Sequence, residues 1–333
     1  MAFTYPESLS LGRLPTPIEK LTRLSGKFGA NIYVKRDDTT GCIVTGNKIR
    51  KMEFLAADAL KQRCDTFITC GGGQSNHART VAAVATRLGM KTLLVLRKEQ
   101  GIPDGNYLLD LLLGAQIQWV TPEEYEGVNS IMEHCARKLE REGQKAYIIP
   151  VGGSNEMGSF GYIRCAEEIV RQEEEIGIKF DAVICACGSG GTHEGLFLGK
   201  KIFCLDADII SYNVGETPEF FKKKIPKIVD NVINNFDINI EYDSLEIDVR
   251  GGYAGPAYGI STDGCLQTIK DIATLEGLIL EPIYTAKAMH GLIDEIKKGI
   301  YKPGLNILFI HTGGIFGLFP RRGELFGQGN FKQ

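Results

Sequence analysis

The sequence predicts an α/β protein in which parallel sheets are covered by helices on both faces and divided between two lobes. Three observations carry that reading. From residue 48 onward, short apolar runs alternate with amphipathic stretches of helical period, the order expected of parallel strands joined by crossover helices. The joins between them are short and often contain glycine. The chain has 333 residues, which at ~150 residues per domain suggests two lobes, and 43% of them are hydrophobic, enough to bury real cores.

In chain order, a proline-broken opening, Leu14-Pro15-Thr16-Pro17, leads to a helix predicted over 18–28 and a strand over 31–35. A glycine turn then runs into Asn47, a good helix N-cap, after which Ile49, Met52, Ala56 and Ala59 recur at helical spacing. A helix therefore starts at Lys48. Further strands are predicted over 66–70, 91–96, 117–120, 146–151, 182–187, 208–214 and 306–311. Helical patterns fall between them over 76–88, 107–113, 122–142, 161–176, 263–275 and 285–298, with another opening near 194–200. The sequence contains no internal repeat and no low-complexity segment.

A formal net charge of −3 offers no global attraction to nucleic acid or to anionic lipid, so an anionic ligand must be held by a local site. Residues 1–21 are broken by Pro6, Pro15 and Pro17 and carry Glu7, Arg13 and Glu19, unlike a signal peptide. No apolar run approaches the ~18 residues of a membrane span. A cytoplasmic protein without a membrane or nucleic-acid partner is expected. The nine cysteines are odd in number, scattered and without C-x-x-C pairs, which marks them as small core residues rather than disulfides or zinc ligands. His134, His193 and His290 have no metal-ligand spacing, and Lys222-Lys223-Lys224 with Lys227 reads as a solvated face.

Four stretches carry chemistry. In Thr45-Gly46-Asn47-Lys48-Ile49-Arg50-Lys51, Lys48 sits in the first turn of a helix, where unpaired N–H groups and the macrodipole favour a neutral amine. A neutral lysine is a nucleophile whose natural covalent partner is an aldehyde cofactor such as pyridoxal phosphate. The plainer alternative makes Lys48 and Lys51 the wet face of that helix. Gly71-Gly72-Gly73-Gln74-Ser75-Asn76-His77 joins an apolar strand to a helix and presents N–H groups, a hydroxyl and two amides, a set suited to a carboxylate or phosphate. Its alternative is a bare N-cap at Ser75 or Asn76. Gly188-Ser189-Gly190-Gly191-Thr192 repeats the strand, turn and helix order. It lacks both a dinucleotide fingerprint, whose third glycine is replaced by His193, and a P-loop, so a small phosphate-bearing cofactor fits better than a nucleotide. A structural tight turn is the alternative. Toward the C-terminus, Tyr258, Tyr284 and Thr312 can stack on an aromatic ring, donate a proton or bond a ring nitrogen, while packing remains the plainer role of each tyrosine.

Taken together, these stretches resemble the fold-type II, tryptophan synthase β-like pyridoxal-phosphate enzymes, specifically the D-cysteine desulfhydrases and 1-aminocyclopropane-1-carboxylate (ACC) deaminases. The likeness runs from Leu14-Pro15-Thr16-Pro17 through Lys35-Arg36-Asp37-Asp38, Gly46-Asn47-Lys48, Gln74-Ser75-Asn76-His77 and Gly188-Ser189-Gly190-Gly191-Thr192 to His311-Thr312-Gly313-Gly314, most of the chain. The resemblance implies two open, twisted, mostly parallel sheets flanked by helices. One belongs to a large cofactor domain of residues 1–50 and 156–333, the other to a small α/β domain of residues 51–155. It implies that Lys48 bonds pyridoxal 5'-phosphate, that Lys51 and the loop from Gly188 through Ser189, Gly190 and Gly191 to Thr192 hold its phosphate, and that Asn76 approaches its phenolic oxygen. Tyr284 would stack on the ring with Thr312 nearby, and Lys48, Ser75, Tyr258 and Tyr284 would form the catalytic set. Gln74, Ser75, Asn76, His77 and Thr285 would meet a small amino-acid substrate, in a protein typically found as a homodimer.

In that family, ACC deaminases place a glutamate after the stacking tyrosine and a leucine before the final Gly-Gly, where this chain has Thr285 and Thr312. Both point to the desulfhydrase branch and to elimination of D-cysteine to pyruvate, ammonia and sulfide. Gly73, where relatives usually carry a larger residue, would widen the pocket. The alternatives are ACC deamination, L-cysteate sulfo-lyase or D-serine dehydratase activity, a non-catalytic cofactor-binding protein, and a nucleotide-binding α/β domain, against which His193 speaks.

Overall fold

Apolar runs with little polar alternation pair as buried parallel strands, and the computed structural model, which describes residues 3–98 and 102–327, is built on that rule. Met1 and Ala2 of the N-terminal segment lie outside the described residues. The strands are β1 (Ile18–Lys20), β2 (Asn31–Lys35), β3 (Thr66–Gly72), β4 (Lys91–Arg97), β5 (Gln116–Val120), β6 (Ala146–Ile148), β7 (Ala182–Cys187), β8 (Asp208–Asn213), β9 (Asp248–Arg250) and β10 (Asn306–Ile310). The larger sheet runs β1-β2-β10-β7-β8-β9 and is parallel except for β1, while the smaller runs β5-β4-β3-β6 and is parallel throughout. The helices are α1 (Thr22–Phe28), α2 (Lys48–Lys61), α3 (Asn76–Arg87), α4 (Gly105–Leu112), α5 (Pro122–Tyr125), α6 (Val128–Arg141), α7 (Glu156–Ile176), α8 (Gly191–Phe203), α9 (Pro218–Asn235), α10 (Asp263–Glu276), α11 (Thr285–Lys297) and α12 (Arg322–Phe326).

The α/β class and the two mainly parallel sheets are as the sequence predicts; the departures have local causes. The helix expected over 18–28 is a strand and a helix, because residues after Pro17 pair antiparallel with β2, Ile18 opposite Lys35. The helix expected over 122–142 breaks at Gly127 into α5, closed by a Thr121–Glu124 capping box, and α6. The strand expected over 146–151 stops at Ile148, since Gly152 and Gly153 turn the chain at φ of 69° and 60°. Pro226 inside α9 hid that helix from periodicity, and β9, at three residues, is too short to register. The lysine run lies on α9, with Lys222, Lys223 and Lys227 exposed and Lys224 half-buried. All nine cysteines are free thiols; Cys42 and Cys204 are exposed and the other seven buried. No helix of the described residues is long and apolar enough to cross a membrane.

Helix α2 is shared between the cores of the two sheets. Met52 and Leu55 pack with Phe67 and Val81 beneath the smaller sheet, while Phe54 packs with Phe160 and Phe197 on the larger one. A boundary at 50/51 therefore falls inside a continuous helix, whereas 155/156 coincides with Asn155, the N-cap of α7. A buried ionic cluster sets the helix's angle. The Arg50 guanidinium donates to both Asp37 oxygens at 2.8 Å and to Glu168 at 2.9 and 3.0 Å, while Lys35 pairs with Glu168 at 3.0 Å. Burial alone would raise the Asp37 carboxyl, but Arg50 and Lys35 hold it below the usual range. With every member paired, removing one would leave a buried charge uncompensated, so the cluster specifies where α2 begins.

Candidate active site

Parallel sheets place ligands beyond the carboxyl ends of their strands, and here the ends of β3, β4, β7 and β10 meet around a cavity of about 650 Å³. Lys48 enters it from the first position of α2. The turn before it works because two glycines pass back to back. A Cβ at Gly46, where φ is 107°, would lie 2.7 Å from the Thr312 carbonyl oxygen, and a Cβ at Gly313 would lie 2.7 Å from Gly46 Cα. That approach lets Asn47 N–H donate to the Thr312 carbonyl at 3.1 Å. Asn47 holds the N-cap position but does not cap: its Nδ2 donates to Thr192 Oγ1 at 3.1 Å, tying α2 to the glycine loop that opens α8.

Lys48 lines the cavity, and among the described residues no hydrogen bond or ion pair engages its Nζ. Lost solvation first, and the Lys51 charge second, hold its amine well below the ordinary lysine value. Burial, rather than the helix dipole suggested by the sequence, is thus the leading cause of its bias toward the neutral form.

The loop at 188–192 is a cradle of bare backbone. Gly190 sits at φ 97° as the N-cap of α8 and offers no side chain, so the helix's first N–H groups stay available. Lys51 Nζ donates to the Gly152 carbonyl at 3.2 Å and to Ser154 Oγ at 3.0 Å, and Ser154 and Ser189 hydroxyls bond at 2.7 Å. A Cβ at Gly191 would lie 2.2 Å from Lys51 Nζ. Lys51 and Gly191 therefore stand just behind the cavity wall, while Gly188, Ser189, Gly190 and Thr192 line it. Burial, partly opposed by the nearby Glu194 carboxylate, brings the Lys51 amine down to about 8.

The turn at 71–76 is built from side chains. Ser75 caps α3 by accepting from Ala78 N–H at 3.1 Å, which leaves its own proton free for a ligand. Arg79 Nε donates to Asn106 Oδ1 at 3.1 Å, so Asn106 Nδ2 is the end that donates to Asn76 Oδ1 at 2.9 Å. Asn76 is thereby forced to present its Nδ2 donor, which has no hydrogen-bond partner among the described residues. The Thr69 hydroxyl donates to the Ile149 carbonyl at 2.9 Å, so His77 Nε2, also at 2.9 Å, must donate to Thr69. Burial and the two lysine charges keep His77 neutral, and its Nδ1 lone pair is buried without a partner among the described residues.

Over the cavity, Tyr284 rests on Gly188, where a Cβ would come within 2.8 Å of its ring, and its hydroxyl shares a hydrogen bond with that of Tyr258. Burial first, and the Tyr258 hydroxyl second, push the Tyr284 phenol well up. Glu281 fixes this turn by accepting the N–H groups of Ile283, Tyr284 and Thr285 at 2.9, 2.6 and 2.8 Å.

Lys48, Ser75, Asn76, His77, Tyr258, Tyr284 and Thr312 thus share one cavity. Besides Lys51 and Gly191, which stand behind its wall, three further expected positions do not. Thr285 is fully buried, its Oγ1 accepting from Glu281 N–H at 2.8 Å. Gln74 is spent bracing the start of α4, donating to the Asp104 carbonyl and accepting from Asn106 N–H, and it lines only a smaller neighbouring chamber. Gly73 is buried and is not among the described lining residues. Sequence reasoning missed Gly152, Ser154, Arg97, Tyr125, Glu126 and Glu216. Two signals were present: a second Gly-Gly-Ser turn after an apolar run, and an arginine at the carboxyl end of a parallel strand.

These donors fit pyridoxal phosphate: a free amine for its aldehyde, a cationic glycine cradle for its phosphate, an amide N–H for its phenolic oxygen and a tyrosine for its ring face. No group of three or more potential metal ligands occurs among the described residues. Comparison with known proteins agrees. The family model described as "Pyridoxal-phosphate dependent enzyme" matches residues 9–313. A protein of Thermotoga maritima named a putative ACC deaminase is 42% identical, covering 95% of this chain and 99% of its own. A D-cysteine desulfhydrase of Yersinia pestis is 40% identical, covering 91% and 92%. The crystal structure of an ACC deaminase homologue superposes with a TM-score of 0.89 at 38% identity, covering 97% and 96%.

Proposed function

Because the chain belongs to the pyridoxal-phosphate dependent enzyme family and takes pyridoxal phosphate as its cofactor, we propose that this lyase converts D-cysteine to pyruvate, ammonia and hydrogen sulfide. The observation that carries the reading is Lys48, an unpartnered amine biased to neutrality in the same cavity as a hydrogen-bonded pair of tyrosine hydroxyls. When bound, pyridoxal phosphate supplies an electron sink for the pair left at the substrate's Cα.

This chain's residues do the rest. Ser75 and the first N–H groups of α3 hold the α-carboxylate, and Asn76 and the cradle at 188–192 keep the cofactor oriented. Lys48 Nζ removes the α-proton, a general-base contribution of ~10²- to 10⁴-fold. Tyr284, kept protonated by burial, gives a proton with Tyr258 to the departing sulfur, and the released 2-aminoacrylate takes up water to form pyruvate and ammonia.

Thr312, which lines the cavity in place of the leucine of ACC deaminases, supports elimination from D-cysteine. ACC deamination is the second reading, favoured by the 42% identity to the Thermotoga maritima protein. The test is a panel of D-cysteine, L-cysteine, ACC, L-cysteate and D-serine assayed for pyruvate, sulfide, sulfite and 2-oxobutyrate. Sulfide and pyruvate from D-cysteine are expected; 2-oxobutyrate from ACC without sulfide from D-cysteine would overturn the assignment. Lys48→Ala should lower turnover by at least the ~10²- to 10⁴-fold of a lost base. A homodimer is part of the same proposal and is checked by sedimentation.

A further inference from the structure

A second chamber of about 300 Å³ adjoins the first, and the two share Gly72, Ser75, Arg97 and Tyr258 in their walls. Its charge is one-sided. Arg97 and Arg321 line it, and no aspartate or glutamate does among the described residues, whereas Glu126 and Glu216 both border the larger cavity. Arg97 leaves the carboxyl end of β4 with its guanidinium carbon 5.9 Å from the Tyr125 ring centre and 5.8 Å from that of Tyr258. Arg36, Arg50, Arg250 and Arg322 each sit on a carboxylate, but no ion pair or hydrogen bond engages the Arg97 guanidinium among the described residues. Across the chamber, Arg321 donates from Nη1 to the Gly259 carbonyl at 2.6 Å and to Glu324 at 2.9 Å, while its Nε is buried without a partner.

We propose that this chamber binds an oxyanion at the far end of a substrate's side chain, so that beyond D-cysteine the site accepts amino acids whose β-substituent carries a second negative charge. Planar guanidinium groups suit carboxylate, sulfonate or phosphate equally, since each offers paired acceptor oxygens. Ser75, with the N-terminus of α3 behind it, already provides for the α-carboxylate, which leaves Arg97 for the second anion. The inference rests on the proposed function only for where the α-carboxylate lies.

The test reads binding rather than turnover, so its failure and that of the D-cysteine assignment are distinguishable. Calorimetry on the holoenzyme would compare 3-(carboxymethylthio)propanoate with 3-(carbamoylmethylthio)propanoate, a pair matched in shape, differing in one charge and lacking the amine needed to react. The dicarboxylate should bind about tenfold tighter, an advantage that shrinks as salt is raised. In Arg97→Gln the two should bind within about twofold of each other, and Arg97→Lys should keep part of the preference. Equal affinities in the wild type would show that Arg97 serves the α-carboxylate or nothing, and would overturn the proposal. So would a full preference surviving in Arg97→Gln. Should that variant fail to fold, the wild-type pair and its salt dependence decide alone.

Discussion

The turns at 71–76 and 188–192 have the same local grammar, a buried parallel strand, a run of glycines and a helix N-terminus, yet they offer a ligand opposite things. At the first, Ser75 caps the helix with its own oxygen, and the turn meets the cavity through side chains held by the Arg79–Asn106–Asn76 relay. At the second, Gly190 stands at the cap with no side chain, and the turn meets the cavity through backbone N–H groups backed by Lys51. A phosphate gains from many bare donors and a nearby cation, whereas a substrate gains from a few oriented groups that can also reject competitors. One motif therefore serves cofactor and substrate according to what occupies the cap.

The strongest way to break this contrast is Gly191→Ala. The added methyl must displace the flexible end of Lys51 and Ser154 Oγ, which it would approach at 2.2 and 2.3 Å, and nudge Ser154 itself, whose Cβ would lie 2.9 Å away. Affinity for pyridoxal phosphate should fall by ~10²-fold or more, the order lost when oriented groups are displaced by about 1 Å, with little change in the melting temperature of the apoprotein. Absorbance titration of apoprotein with cofactor measures it, and a melting temperature that collapses instead would place the glycine in the fold rather than the cradle.

The cation behind the cradle gives the next effect. The Lys51 amine titrates near 8 in the folded chain and at an ordinary lysine value when unfolded, so between those values the unfolded state binds more protons. Stability then rises with pH across that window and is lower, by up to about 3 kcal/mol, below it. Apoprotein should gain stability from pH 8 to pH 10 relative to Lys51→Met, and a bound phosphate, by raising the amine's value, should erase the difference. Chemical denaturation of both proteins over that range reads the sign directly.

At the first turn the cap and the ligand contact can be separated. Ser75→Ala should cost about 1 kcal/mol of stability and Ser75→Gly only a few tenths, because glycine tolerates the cap position. Both lose the same hydroxyl, so both should raise KM for the amino acid by about tenfold, the worth of one hydrogen bond to a charged group. An activity loss that tracked the melting temperature would leave Ser75 a cap and nothing more.

Much of this was legible because it is local. The strand–glycine–helix order, the lysine opening α2 and the parallel sheets follow from period and turn chemistry within a dozen residues. What escaped depends on contacts that no window contains. Asn47 reads as a cap but reaches Thr192; Asn76 is aimed by Asn106; Lys51 is placed by Gly152 and Ser154. Arg97 acquires meaning only when the two sheets bring its strand end beside Tyr258. Pro226 concealed α9 because a sequence rule about single prolines yields to the packing of Phe221, Ile225 and Val229 on the larger sheet's core.

Thr285 sharpens the contrast from the other side, since a hydroxyl beside the stacking tyrosine looks functional in sequence and is internal in the fold. It lies outside the cavity wall and accepts the Glu281 N–H, while Glu281 in turn accepts three backbone N–H groups around Tyr284. Thr285→Val keeps the shape and leaves that N–H unpaired, costing about 1–3 kcal/mol of stability. Because the Glu281 carboxylate still holds the turn, Tyr284 should stay over Gly188, and kcat/KM should change by less than about threefold, within the ~0.6 kcal/mol of thermal energy. A loss of tenfold or more, with cofactor content unchanged, would put this hydroxyl in contact with the bound ring after all and move the boundary between the two kinds of turn.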